Sequence, residues 1–382
     1  MPREAPSDPP ALHRNVAVLT QLLAGEYAAA RACLAAEAPP PEHFLRFIER
    51  HLLAWYLVGL IDASGLRGAF AAEDLARLER ATEARRAKQG LLVDELARLW
   101  PCFQERGIDL MLLKGPYLAQ RFFGGARKRG FLDLDLLVRP EQLGAAESLL
   151  AELGYARRST MLISRPLTMR FTHGFDFAKD GLGLDIHWSL GTHASYRIDR
   201  DRLWRARAMC RWGRDEIAVL SDEDALFFHL LSLFEDLDRG AVRLRSFVDV
   251  HAMLAALDTQ IDWPAFWEQR RSERTARICQ AVLGLFFALL DVEGRFPHAA
   301  WTVARITEQT RTQAREEIAA LIEARDGSLR NKMWALRVYE CPAAVSIGWW
   351  FASLPFRLAV YHPGTWSRLA TRVGAYIHRD GR

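Results

Sequence analysis

From residue 11 to about residue 105, apolar side chains recur at three- and four-residue steps. Examples are "PEHFLRFIERHLLAWYLVGLI" and "AEDLARLERATEARRAKQGLLVDELARLW", and this period predicts helices. Near residue 107 the period changes. "GIDLMLLKG" (107–115) is a short apolar run ending on Gly115 and predicts a buried strand. "PYLAQRFFGG" predicts a short helix begun by Pro116 and stopped by two glycines. "GFLDLDLLV" (130–138) predicts the next strand and "RPEQLGAAESLLAELGY" (139–155) a helix. "RFTHGFDFAKDG" and "LGLDIHWSL" predict a hairpin turning at Lys179-Asp180-Gly181, and "EIAVL" (216–220) an edge strand. From "SDEDALFFHLLSLFEDL" (221–237) the helical period returns, with Ser221 as N-cap and Asp224 as its capping-box partner, and it runs on to the end. The expected class is α+β. A small mixed sheet within residues 106–220 is flanked by a helical N-terminal segment, 1–105, and a helical C-terminal domain, 221–382.

Composition adds a few bounds. The 382 residues, half of them apolar, suffice for one large domain or two ordinary ones. The net charge of +4 does not by itself call for nucleic acid. From Arg330 to Arg382, however, basic residues far outnumber acids, which leaves RNA or DNA contact open for the C-terminal helices. Only five of the 51 basic residues are Lys (88, 114, 128, 179 and 332), so a Lys inside a motif carries information. The five Cys are scattered with no CxxC, which argues for a reduced, cytoplasmic chain without structural zinc or disulfides. "MPREAPSDPPALHR" lacks the apolar run of a signal peptide. "CPAAVSIGWWFASLPFRLAVY" (341–361) has the length of a membrane span but carries Pro342, Pro355 and Arg357. A buried or interfacial helix pair is expected there, and no transmembrane segment.

The unusual chemistry lies in the predicted strands. Side chains two apart share a face, so Asp133 and Asp135 point together while Leu132, Leu134 and Leu136 point away. In "LGLDIHWSL", Asp185 and His187 share a face in the same way. If the strands are neighbours, three carboxylates converge, an arrangement that is costly unless a divalent cation or a basic group intervenes. Mg²⁺ suits such oxygen ligands and is commonly shared with substrate phosphates. Gly115 ends the first strand where the backbone can approach a phosphate, and Lys114 offers it a positive charge, as do Arg127, Lys128 and Arg129. His187 reads first as a hydrogen-bonded wall residue that orients a neighbour, and His173 and Asp176 as hairpin-face residues. Metal, carboxylates and basic groups together point to phosphoryl or nucleotidyl transfer.

These residues, in the order "LLKGPYLAQRFF … RKRGFLDLDLLVRPEQLGAAESLLAELGY … LDIHWSL … RLRSFVDVHAML", resemble the uncharacterised bacterial nucleotidyltransferase family of the DNA polymerase β-like superfamily. The resemblance runs from about residue 107 to 257. It implies a nucleotidyltransferase core within 106–220 and a reaction that moves an NMP from an NTP to a hydroxyl acceptor, with Mg²⁺ or Mn²⁺. Asp133, Asp135 and Asp185 match the family's metal-binding and catalytic carboxylates. Lys114, Gly115, Arg129 and His187 match positions expected at the nucleotide, and Arg245 and Asp249 match a polar pair in the following helix. Two features depart from the superfamily pattern: Pro116 follows the phosphate-loop glycine, and the segment from Gly115 to Asp133 is long. They keep open a non-catalytic module that binds nucleotide or nucleic acid on the same fold. The acceptor is left undefined, with small molecule, peptide, protein side chain and RNA end all compatible.

Overall fold

The computed structural model describes residues 9–35, 41–125, 128–159, 164–213, 215–303, 308–323 and 329–361. Arg127 and, from the basic C-terminal run, Arg368, Arg372, Arg379 and Arg382, all singled out in the sequence, lie outside the described residues. The chain divides into two compact units, each assembled from separated segments.

The first unit comprises Met1–Ala87, Leu118–Gly130 and Asp222–Glu340 and is built of helices. Its core is aromatic, with Phe44, Phe227, Phe234, Phe247, Phe286 and Phe287 buried. Gly130 is required here for space. A Cβ at that position would stand 2.2 Å from the Trp55 ring, so the chain passes against the indole only because it carries no side chain.

The second unit comprises Lys88–Tyr117, Phe131–Ser221 and Cys341–Arg382. It holds seven strands: β1 Leu110–Leu112, β2 Asp133–Val138, β3 Ala156–Arg157, β4 Gly174–Lys179, β5 Leu182–His187, β6 Ala208–Trp212 and β7 Asp215–Val219. They form one mixed sheet in the order β3-β4-β5-β2-β1-β7-β6. β2 runs parallel to β5 and antiparallel to β1, while β4 and β5 form an antiparallel hairpin. Asp180 (φ 49°) and Gly181 (φ 80°) make its two-residue turn with both residues left-handed, the geometry that Asp-Gly supplies at low cost. Leu134 and Leu136 of β2, Leu184 and Ile186 of β5, and Phe175 and Phe177 of β4 are buried on one face. That apolar face fixes the register, since a slip of one residue would turn it outward. The fold is α+β, with a mixed sheet and flanking helices, as the hydrophobic pattern predicts.

Three local expectations change. The strand "EIAVL" is not at the edge: β7 lies between β1 and β6. The edge is β6, a half-exposed strand whose weak alternation hides it in the sequence. The segment read as strand from Arg170 begins later, because Arg165–Phe171 is a short helix with Ser164 as N-cap, its Oγ accepting from the Leu167 N–H. The late apolar segment forms one helix, Ala343–Tyr361, with Pro355 inside it, rather than a helix pair. Among the described residues, no helix is long and apolar enough to cross a membrane.

Candidate active site

The polar face of the sheet collects the carboxylates. The register places Asp135 of β2 beside Asp185 of β5, and Asp185 beside Asp176 of β4. Directly paired residues share a face, so the three form one row across three strands. Asp133 shares that face two positions earlier, opposite Gly183, where a Cβ would approach its own Cβ to 3.6 Å. His187 follows Asp185 by two and therefore returns to the same side. Opposite it, Gly174 leaves room: a Cβ there would sit 3.5 Å from His187 Nδ1 and only 3.0 Å from the Ile186 carbonyl oxygen. His173 stacks on His187, ring centroids 5.2 Å apart and planes 11° off parallel.

Two basic groups meet on one oxygen. Lys114 Nζ lies 3.0 Å from Asp135 Oδ1, and His187 Nε2 lies 3.3 Å from the same atom. The lysine gets there because the Leu113 N–H donates to the Asp135 carbonyl, extending the β1–β2 pairing to the end of the first strand. Gly115 then turns the chain with φ +70°. A Cβ there would lie 3.4 Å from the Asp133 carbonyl oxygen, so Gly suits both the backbone angle and the close approach. Helix Pro116–Phe123 starts at the next residue.

The electrostatics follow from this crowding. Burial opposes ionisation of Asp135, yet Lys114 and His187 outweigh it and hold the carboxyl below the usual carboxylate range. Asp185 behaves in the opposite way. Burial, then the charges of Asp135, Asp176 and Asp133, push it up to about 9, with Lys114 pulling against them. Asp176 is also raised, first by burial, although His187 and a hydrogen bond with Asp185 ease it. Asp185 and Asp176 thus give up a proton less readily than a free carboxyl, and Asp135 more readily.

Among the described residues, Asp135, Asp185 and His187 each offer a ligand atom within 4.8 Å of the others. Two carboxylate oxygens and an imidazole nitrogen, with further carboxylates alongside, form a donor set that fits a divalent cation. Of the residues picked from sequence, Lys114, Gly115, Asp133, Asp135, Asp185 and His187 all come from this face or the turn that borders it. Asp133 shares the face, but its carboxylate is not one of those three donors. Arg129, expected at the nucleotide, is bound to an acidic partner. In the first unit its Nε and Nη2 lie 2.7 and 2.8 Å from Asp249 Oδ1 and Oδ2, with both residues buried. His229 Nε2 stands 3.6 Å from the same carboxylate, and burial, which opposes its charge, is outweighed by Arg129 so that Asp249 stays below its ordinary range.

Sequence reasoning missed the place of Asp176 in the row. The signal was present: a two-residue Asp-Gly turn pairs Lys179 with Leu182, and counting back pairs Asp176 with Asp185.

Comparison with known proteins adds the family. Residues 37–291 match a family described as "Uncharacterised nucleotidyltransferase". Among solved structures, the solution structure of the antibiotic-resistance factor ANT(2'')-Ia is similar at 13% identity and a TM-score of 0.35, covering 49% of this chain and 93% of that one. No curated protein matches the chain in sequence. The family match spans well over half of the chain and includes every strand of the sheet and all the acidic residues of its polar face; the chain belongs to this family of uncharacterised nucleotidyltransferases.

Proposed function

We propose that the protein transfers a nucleoside monophosphate from a nucleoside triphosphate to a hydroxyl-bearing acceptor, on the polar face of the sheet. The observation that carries this reading is the convergence of Asp135, Asp185 and His187 within 4.8 Å, in a chain of nucleotidyltransferase family. Asp133, Asp135 and Asp185 would hold Mg²⁺ or Mn²⁺, with His187 as its neighbour. When bound, such an ion neutralises charge on the phosphates and on the departing pyrophosphate. The chain's own groups do the rest. Lys114, one-third exposed at its side chain, lends positive charge to the phosphate tail, and the Gly115 turn lets backbone approach it. His187 holds Asp135 in orientation. An acidic side chain of the row, Asp185 foremost, takes the proton of the acceptor hydroxyl. The acceptor oxygen forms a bond to the α-phosphorus, the bond to pyrophosphate breaks, and charge and atoms balance.

The test is direct. With each α-labelled NTP, Mg²⁺ or Mn²⁺ and a cell extract, label should enter a product whose size identifies the acceptor class. Asp135→Asn and Asp133→Asn should abolish labelling while the melting temperature stays within a few degrees. Labelling by both variants at the parental rate would remove the assignment. One observation favours a second reading, a nucleotide-binding module without turnover: Pro116 opens the helix after Gly115 and so offers no N–H there to a phosphate. Calorimetric titration with ATP or GTP separates the readings. The module binds without need of Mg²⁺ and releases no pyrophosphate.

A further inference from the structure

Helix Ala343–Tyr361 packs with one face and leaves the other bare. Ser346, Ser353, Phe356 and Val360 are buried at three-, four- and seven-residue steps. Trp349 and Phe356 each meet the Phe171 ring at 4.8 Å, holding the helix against Arg165–Phe171 within the second unit. The outward face has no polar side chain from Ala343 to Ala352. Val345 is 45% exposed, Ile347 43% and Phe351 63%, with alanines and Gly348 between them. Leu167 on the neighbouring helix is 40% exposed as well. A solvated helix normally turns charge outward; here three turns of exposed surface carry none.

The charge that does occur nearby in the sequence has one sign. No Asp or Glu stands between Glu340 and Asp380, while Arg357, Arg368, Arg372 and Arg379 fall in that stretch. We infer that the outward face of this helix docks on an anionic lipid surface, lying in the headgroup layer with Ile347 and Phe351 inserted. An apolar, aromatic-bearing face followed by acid-free basic sequence is complementary to such a surface. The helix lies on the bilayer rather than spanning it, since it is not long and apolar enough to cross. A second copy of the chain is a poorer occupant. Three helical turns about 15 Å long and about 10 Å wide offer on the order of 150 Å², well short of the roughly 800 Å² per partner that a stable interface needs.

The experiment is co-sedimentation of the full chain with phosphatidylcholine vesicles, with and without phosphatidylglycerol, over a range of salt. The protein is expected to partition onto the phosphatidylglycerol vesicles and to be released as salt rises. Phe351→Glu and Ile347→Glu should each weaken partitioning about tenfold or more at unchanged melting temperature, because a charge is placed where an apolar side chain inserts. Absence of binding, equal binding to neutral vesicles, or unaltered binding by both variants would overturn the inference. Sedimentation equilibrium supplies the other arm: a dimer that Phe351→Glu dissociates would assign the face to a second copy and overturn it equally.

Discussion

Among the described residues, Asp185 carries a marked local tension. Its carboxyl is pushed up to about 9 by burial and by three acidic neighbours, so the folded chain holds a proton there that the unfolded chain has lost above about pH 4. The sign follows: this side chain makes folding less favourable as pH rises from about 4 to 9, and full stability is found at the acidic end of that window. A cation seated among Asp135, Asp185 and His187 would relieve the same tension. In chelator, Asp185→Asn is therefore expected to raise the melting temperature by about 3 °C or more. Mg²⁺ or Mn²⁺ should raise that of the parent protein and leave the variant unmoved. Scanning calorimetry with and without the ion checks both halves, and a cation response retained by the variant would exclude Asp185 as a ligand. Most of the row was legible in the sequence, because period-two spacing alone puts Asp133 with Asp135 and Asp185 with His187 on common faces. The ammonium of Lys114 on Asp135 was not legible, since it depends on how β1 pairs with β2. Asp176 was legible through the hairpin register but reads as an ordinary hairpin-face residue until its partner across the strand is known to be acidic.

At the scale of elements, the helix Leu244–Leu257 is tied to the segment before β2 by the Arg129–Asp249 pair. Both side chains are buried, and the two-pronged geometry uses the planar fork of the guanidinium. Removing one partner strands the other charge away from water. Asp249→Ala is expected to cost about 3–5 kcal/mol in urea unfolding, and Arg129→Lys about 2 kcal/mol or more, because an ammonium cannot make both bonds. Replacing both together, Arg129→Met with Asp249→Leu, should return much of the loss, as no charge is then left buried. A double replacement no better than the single ones would show that the pair does more than satisfy itself. The sequence puts Arg129 near a phosphate because it stands with Arg127 and Lys128 on the approach to the aspartates, and the family resemblance implies the same. Its commitment to a residue 120 positions later is a tertiary fact that no local spacing encodes. The same holds for β7. "EIAVL" is recognisable as a strand, but whether it lies at an edge depends on β6, whose half-exposed alternation carries little signal.

At the scale of the molecule, three histidines among the described residues are kept neutral by their surroundings, two in the first unit and one in the second. His51 is lowered to about 3, by burial first and then by Arg50 and Arg243. His251 and His193 are each lowered to about 4, again mainly by burial, with Arg295 and Arg357 adding to it. These shifts fix the sign of the acid response. A group whose folded value is depressed contributes stability that is whole above its unfolded value, near 6.5, and is lost as pH falls toward 3–4. The loss should reach the order of several kcal/mol by pH 4, from groups in both units. Asp185 pulls the other way over part of the same range, so the histidine contribution is cleanest in the Asp185→Asn background. There, unfolding free energy is expected to be flat from pH 8 to 7 and to fall steadily below 6.5. His51 deserves the first substitution: Leu244 donates its N–H to His51 Nδ1 and Phe47 meets its ring edge-on, so a leucine of similar volume keeps the packing and removes the titration. His51→Leu should therefore lose some stability at pH 7.5 but show a shallower slope between pH 6.5 and 4, read from urea midpoints at each pH. An unchanged slope would mean that His51 accepts its proton in the folded chain as readily as in water, and that the acid sensitivity resides elsewhere.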